Sequence, residues 1–185
     1  MENADHTDPL PGPANDHIVP YIGEAEQALL ALDAWVSKGT APPASTGYVM
    51  DANTHAVLAP EAESRHGVQP LVTLSVGGNS VVHVAVGQSV TFSMEAQSPK
   101  PQSPGMEAGG PITRVEWDFV DTGNFSPGTR ISRSMSVSQT ATYTFTQPGT
   151  YFPTVRVWSQ QLPQIITKSP FGMVPNIASV RVVVN

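Results

Sequence analysis

From Val72 onward, apolar side chains recur at every second position in short runs, a period that fits strands and does not fit helices. Val72, Leu74 and Val76 alternate, as do Val82, Val84 and Val86, then Val90, Phe92 and Met94. Val115, Trp117 and Phe119 follow, then Tyr143 and Phe145, Val155 and Val157, and finally Val180, Val182 and Val184. Turn formers separate the runs: Gly77-Gly78-Asn79, Gly87-Gln88, Gly109-Gly110-Pro111, Pro127-Gly128 and Pro148-Gly149. This punctuation predicts seven or eight short strands closed into an antiparallel β-sandwich over residues 68–185. Trp117 and Phe119 share one strand face and are expected in the core. Pro153 has no N–H to give to a ladder, so its position is expected at an edge or a bulge.

The first part of the chain reads differently. Residues 1–20 lack periodicity and form a loop. Residues 24–37 predict a single amphipathic helix, with Ala25, Ala28, Leu29, Leu32, Trp35 and Val36 along one stripe. Glu24 and Glu26 suit the positive end of the helix dipole, and Gly39 with Pro42-Pro43 stops the helix. One such helix is marginal alone, so its Leu/Trp stripe is expected to face a core, supplied by the sandwich or by polypeptide outside this chain. Residues 46–67 read as a linker, in which Tyr48, Val49, Val57 and Leu58 fit a short hairpin.

Charge separates the two parts. Residues 1–67 hold ten acidic side chains against Lys38 and Arg65, while the remainder holds seven basic and five acidic. Neither part has a basic stripe interleaved with aromatics, so nucleic acid is not an expected partner. With no cysteine, a disulfide scaffold, a thiolate metal site and a cysteine nucleophile are excluded. No apolar run is long enough to span a membrane, and the polar start Met1-Glu2-Asn3-Ala4 is not a signal peptide.

The stretch Val115-Glu116-Trp117-Asp118-Phe119-Val120-Asp121-Thr122-Gly123 resembles the Trp-Asp-Phe-Gly-Asp-Gly signature of the polycystic kidney disease (PKD) domain, an immunoglobulin-like sandwich. Thr142-Tyr143-Thr144-Phe145-Thr146-Gln147-Pro148-Gly149-Thr150-Tyr151 and Val155-Arg156-Val157 continue the likeness. This chain has Val120 where the family has Gly, and one more residue before Gly123. The resemblance implies a PKD-like module that works by contact.

The opening segment resembles a second family. Glu2-Asn3-Ala4-Asp5-His6 and Ala34-Trp35-Val36-Ser37-Lys38-Gly39-Thr40-Ala41-Pro42-Pro43 are similar to the C-terminal end of secreted α/β-hydrolases of the tannase and hydroxyalkanoate oligomer hydrolase kind. That resemblance makes residues 1–45 a hydrolase tail and implies that His6 matches the catalytic His of a triad. The chain has no Gly-x-Ser-x-Gly elbow, so the Ser and Asp would lie upstream of Met1. The resemblances together imply an accessory module of an extracellular or periplasmic esterase. Its partners would be the upstream catalytic domain and a polymer or cell-surface ligand. The alternative is a hydrolase tail that supplies His6 to that domain.

Other residues carry readings of their own. Asp118 and Asp121 are candidate calcium ligands, since some PKD-type domains bind that ion through acidic loop residues. The alternative puts Asp118 on the solvent face and has Asp121 cap the turn. No other cofactor is expected. Trp158, Phe171 and Tyr151 are candidates for a binding surface, with packing under the Pro-rich loop after Trp158 as the alternative. Trp158 is out of phase with Val155 and Val157, so it points to the opposite face. Arg114, Arg130, Arg133 and Arg156 fit a solvated sheet face or a site for an anionic partner.

Overall fold

Strand alternation becomes burial most plainly in the central strand Ser89–Gln97, where every second residue is buried and the others are exposed. In the computed structural model, which describes residues 1–4, 17–101, 108–126, 129–161 and 171–185, the elements run in the following order. Helix α1 (Ile22–Lys38) is followed by a hairpin, β1 (Tyr48–Met50) with β2 (Ala56–Leu58), and a single turn, α2 (Ala62–Arg65). The sandwich comprises β3 (Leu71–Ser75), β4 (Val81–Val84), β5 (Ser89–Gln97), β6 (Ile112–Asp118), β7 (Thr129–Ser134), β8 (Ser136–Thr144), β9 (Gly149–Tyr151), β10 (Thr154–Gln160), β11 (Met173–Ser179) and β12 (Arg181–Val184).

The strands form one four-stranded sheet in the order β11-β10-β6-β7 and two three-stranded sheets, β3-β5-β8 and β4-β12-β9. All sandwich pairings are antiparallel except β12 with β4. The fold is therefore the mainly β, immunoglobulin-like antiparallel sandwich that the alternation predicts. Its interior holds Leu74, Val90, Phe92, Met94, Val115, Phe145, Val155, Val157, Val182 and Val184, with Trp117 and Phe119 packed against them and half-buried. A chain of aromatic rings runs through this core. Trp117 stacks on Phe119 (centroids 5.5 Å apart, 8° between planes) and Phe119 on Tyr143 (4.9 Å, 11°). Tyr143 then meets Phe145, and Phe145 meets Tyr151.

Pro153 lies neither at an edge nor in a bulge. It is buried in the break between β9 and β10, where the chain leaves the β4-β12-β9 sheet for the four-stranded one. A residue without an N–H suits that transfer, because neither ladder continues through it. The span 46–67, read above as a linker, holds β1, β2 and α2. It is tied to neighbouring segments by Arg65, whose guanidinium donates to the Glu2 carboxylate (2.8 Å) and to the Ala59 carbonyl (2.5 Å).

Helix α1 ends as expected, with Gly39 left-handed (φ 70°) and its N–H on the Trp35 carbonyl. Of the two surfaces expected to cover its stripe, the sandwich is not the one used. The buried positions are Gly23, Gln27 and Ala31, four residues apart, whereas Leu29 (64% exposed), Leu32 (50%), Trp35 (55%) and Val36 (80%) face outward. The apolar stripe is not the docking face.

Candidate functional site

The docking of α1 explains why the small residues face inward. A Cβ built on Gly23 would lie 1.8 Å from the Met173 carbonyl oxygen of β11, so the helix backbone approaches a strand backbone where only hydrogen fits. Around this contact, the Glu26 carboxylate accepts the Gly172 N–H (2.6 Å) and the Gln27 amide donates to the Gln161 side chain. Arg133 of β7 donates to the Gln160 carbonyl (2.8 Å), which places a guanidinium beside the same junction. Large apolar side chains at these helix positions would hold the helix too far out for any of these bonds. Leu29, Leu32 and Trp35 are therefore directed away from the sandwich by the geometry that seats the helix.

Glu24 sits in the same junction with one carboxylate oxygen buried and unbonded. Burial pushes its carboxyl above the ordinary value of 4.5, and the Met1 ammonium offsets part of that shift. The sign follows from linkage. A carboxyl whose value is raised in the docked state binds more protons docked than free between the two values. Docking of α1 is therefore weakest above the raised value and strengthens as pH falls toward 4.5. Slower amide exchange across Ile22–Lys38 at mildly acidic than at mildly alkaline pH, after correction for intrinsic rates, is the expected result. Glu24→Gln should abolish the difference and slow exchange at neutral pH.

Trp158 lies on the outer face of β10, opposite to Val155 and Val157 as its phase predicts. It is part of a cluster centred on Glu116, whose side chain is 4% exposed. The Arg114 guanidinium donates to Oε1 (2.8 Å), while Arg156 Nε and the Trp158 indole N–H both donate to Oε2 (2.7 Å each). Arg156 is also stacked 3.9 Å from the Phe125 ring centroid and 5.2 Å from that of Trp158. The indole of Trp158 thus has its N–H bound to Glu116 and guanidinium groups beside its ring. Glu116 was missed in the sequence reading. Its signal was present, because Glu116 shares the phase of Arg114 on β6 and faces Arg156 across the ladder.

Tyr151 and Phe171 occupy other parts of the fold. Tyr151 closes the ring chain and donates its hydroxyl to the Gln147 carbonyl (3.1 Å), whereas Phe171 precedes the Gly172 that Glu26 holds. His6 lies outside the described residues.

Asp118 and Asp121 have changed places relative to the turn-cap reading. Asp118 is buried (3% exposed), and its carboxylate accepts N–H bonds from Val120 (3.2 Å), Thr122 (2.8 Å) and Gly123 (2.7 Å). It is the capping residue of the turn. Asp121 adopts φ 62° and lies 3.3 Å from His17 Nε2. Both carboxylate oxygens of Asp118 accept backbone N–H bonds of the turn. Among the described residues, no group of three or more His, Cys, Asp or Glu side chains is placed to hold a metal ion. Among them too, no helix is long and apolar enough to cross a membrane.

Residues 73–161, from within β3 to just beyond β10, match the PKD domain family. No curated protein matches the chain. Among solved structures, a CARDB domain from Pyrococcus furiosus, determined in complex with di-metal ions, is 17% identical. The likeness covers 63% of this chain and 92% of that one, with a TM-score of 0.39. A PKD domain from an M14-like peptidase of a Thermoplasmatales archaeon is 15% identical, covering 63% and 92% of the respective chains, with a TM-score of 0.38.

Proposed function

We propose that this chain, whose residues 73–161 match the PKD domain, is a non-catalytic accessory module of an extracellular esterase. In this reading residues 1–45 are the tail of the catalytic domain, residues 46–67 join the two, and residues 68–185 form the contact module. The observation that carries it is the outward stripe of α1. A helix already seated by Gly23, Gln27 and Ala31 still presents Leu29, Leu32, Trp35 and Val36 to water. A row of large apolar side chains on one helix face is the usual mark of a second contact surface. The upstream catalytic domain is the surface that this reading sets against it, and His6 belongs to that domain's chemistry. The sandwich then spaces that domain or holds it near a polymer or cell surface.

The coding sequence upstream of Met1 tests the reading directly. An open frame with a Gly-x-Ser-x-Gly elbow supports it, and an immediate stop codon removes it. If that frame exists, the longer protein should protect Leu29, Leu32 and Trp35 from solvent, and Trp35→Glu should open the contact. Purified alone, the present chain should leave p-nitrophenyl esters intact. Hydrolysis lost on His6→Ala would overturn the module reading.

A further inference from the structure

Exposed strand edges invite pairing with other strands, and proteins blunt them with brevity, proline, charge, bulges or covering elements. Each described edge of this sandwich shows such a device, with one exception. β11 contains Pro175 and has α1 seated against it, and β7 carries Arg133. β3 has five residues and follows Pro70; β4 has four residues and β9 has three. β8 is the exception. It has nine residues, no charge, no proline and no glycine, and it pairs with β5 in an unbroken register from Ser89↔Thr144 to Gln97↔Ser136. It is the outer strand of its sheet, and among the described residues β5 is its only strand partner.

We infer that β8 pairs antiparallel with β8 of a second copy of this chain, joining two β3-β5-β8 sheets into one. The strand is complementary to itself. Ser136, Ser138, Thr140, Thr142 and Thr144 are exposed on the outer face, while Val137, Gln139, Ala141 and Tyr143 point inward and are half-buried. Directly opposed residues in an antiparallel pair share a face, so outer residues must oppose outer residues. The register that uses the whole strand places its two-fold axis at Thr140. It sets Thr142 against Ser138 and Thr144 against Ser136, hydroxyl to hydroxyl, as β5 and β8 already do at Ser89–Thr144 (3.1 Å) and Thr91–Thr142 (3.3 Å). On the inner face the same register sets Tyr143 against Val137 and Ala141 against Gln139. No like charges meet anywhere along it. Such an isologous contact closes on itself and yields a dimer, not a fibre.

The test uses the register. Thr140 is exposed, so Thr140→Lys and Thr140→Glu should leave the melting temperature of the chain close to wild type. In the paired state each places like charges opposite each other on the axis. By light scattering after size exclusion, the wild type should shift from monomer to dimer mass as concentration rises. Each single variant should stay monomeric over the same range, and an equal mixture of the two should regain the dimer mass. A wild type that is monomeric at every concentration overturns the inference. So do single variants that remain dimeric, a mixture that does not associate, or a dimer abolished by Trp35→Glu, which would place the contact on α1.

Discussion

Gly23→Ala should detach α1 from the sandwich without unfolding the sandwich. Two effects compete at this position. Alanine favours a helix over glycine by about 0.5–1 kcal/mol. Against that, the new methyl would lie 1.8 Å from the Met173 carbonyl oxygen, a contact that requires one backbone or the other to move. Overpacking costs about 1–3 kcal/mol, and losing the Glu26–Gly172 bond adds a comparable amount. The steric term therefore wins by about 3 kcal/mol, roughly a hundredfold in exchange protection for amides of Ile22–Lys38. Hydrogen exchange should show fast labelling confined to α1 and slow labelling retained across β5, β6 and β10. Protection unchanged across α1 would mean that the helix does not depend on this approach.

Asp118→Ala should destabilise the sandwich itself. The carboxylate accepts three backbone N–H groups of the turn that leads out of β6, and it is buried while doing so. Alanine leaves those donors without their acceptor, and hydrogen bonds to a charged group contribute about 1.5–3 kcal/mol each to stability in measured cases. Water can reach part of an exposed turn and recover some of that loss. The expected net cost is about 3 kcal/mol, read as a lower midpoint in urea with an unchanged slope. Asp118→Asn, which keeps one acceptor oxygen, should recover about half of it. If Asp118→Ala melts like the wild type, the turn is held by something other than this side chain. A similar loss in Asp121→Ala would restore the cap to the residue where the sequence reading put it.

The sandwich was legible because burial in it follows the pleat. β5 alternates as its sequence does, and the ring chain of Trp117, Phe119 and Tyr143 lies where the signature residues put it. β7 and β11 were not legible. β7 (Thr-Arg-Ile-Ser-Arg-Ser) offers one apolar residue, and β11 is buried on both faces from Val174 to Ile177, which erases the alternation. The apolar stripe of α1 turns away from the sandwich for a more general reason. Periodicity locates an apolar stripe, but seating a helix backbone against a strand selects small residues. The sequence did carry that second signal, in Gly23, Gln27 and Ala31 at intervals of four. The depth of Asp118 and Glu116 was hidden because an outer sheet face counts as solvated until something covers it. Here Arg156, Phe125 and Trp158 form that cover over Glu116.

The rings of Trp117, Phe119 and Tyr143 are nearly parallel and about 5 Å apart along the core. Such neighbours share their excited states, so the folded sandwich has an optical signature of its own in the near ultraviolet, where fixed aromatic packing gives ellipticity and loosened packing gives none. Trp35 stands outside that assembly on the water-facing side of α1. Release of the helix would leave the near-ultraviolet band intact, while unfolding of the sandwich would erase it. One spectrum can thus separate detachment of the arm from collapse of the body it leans on.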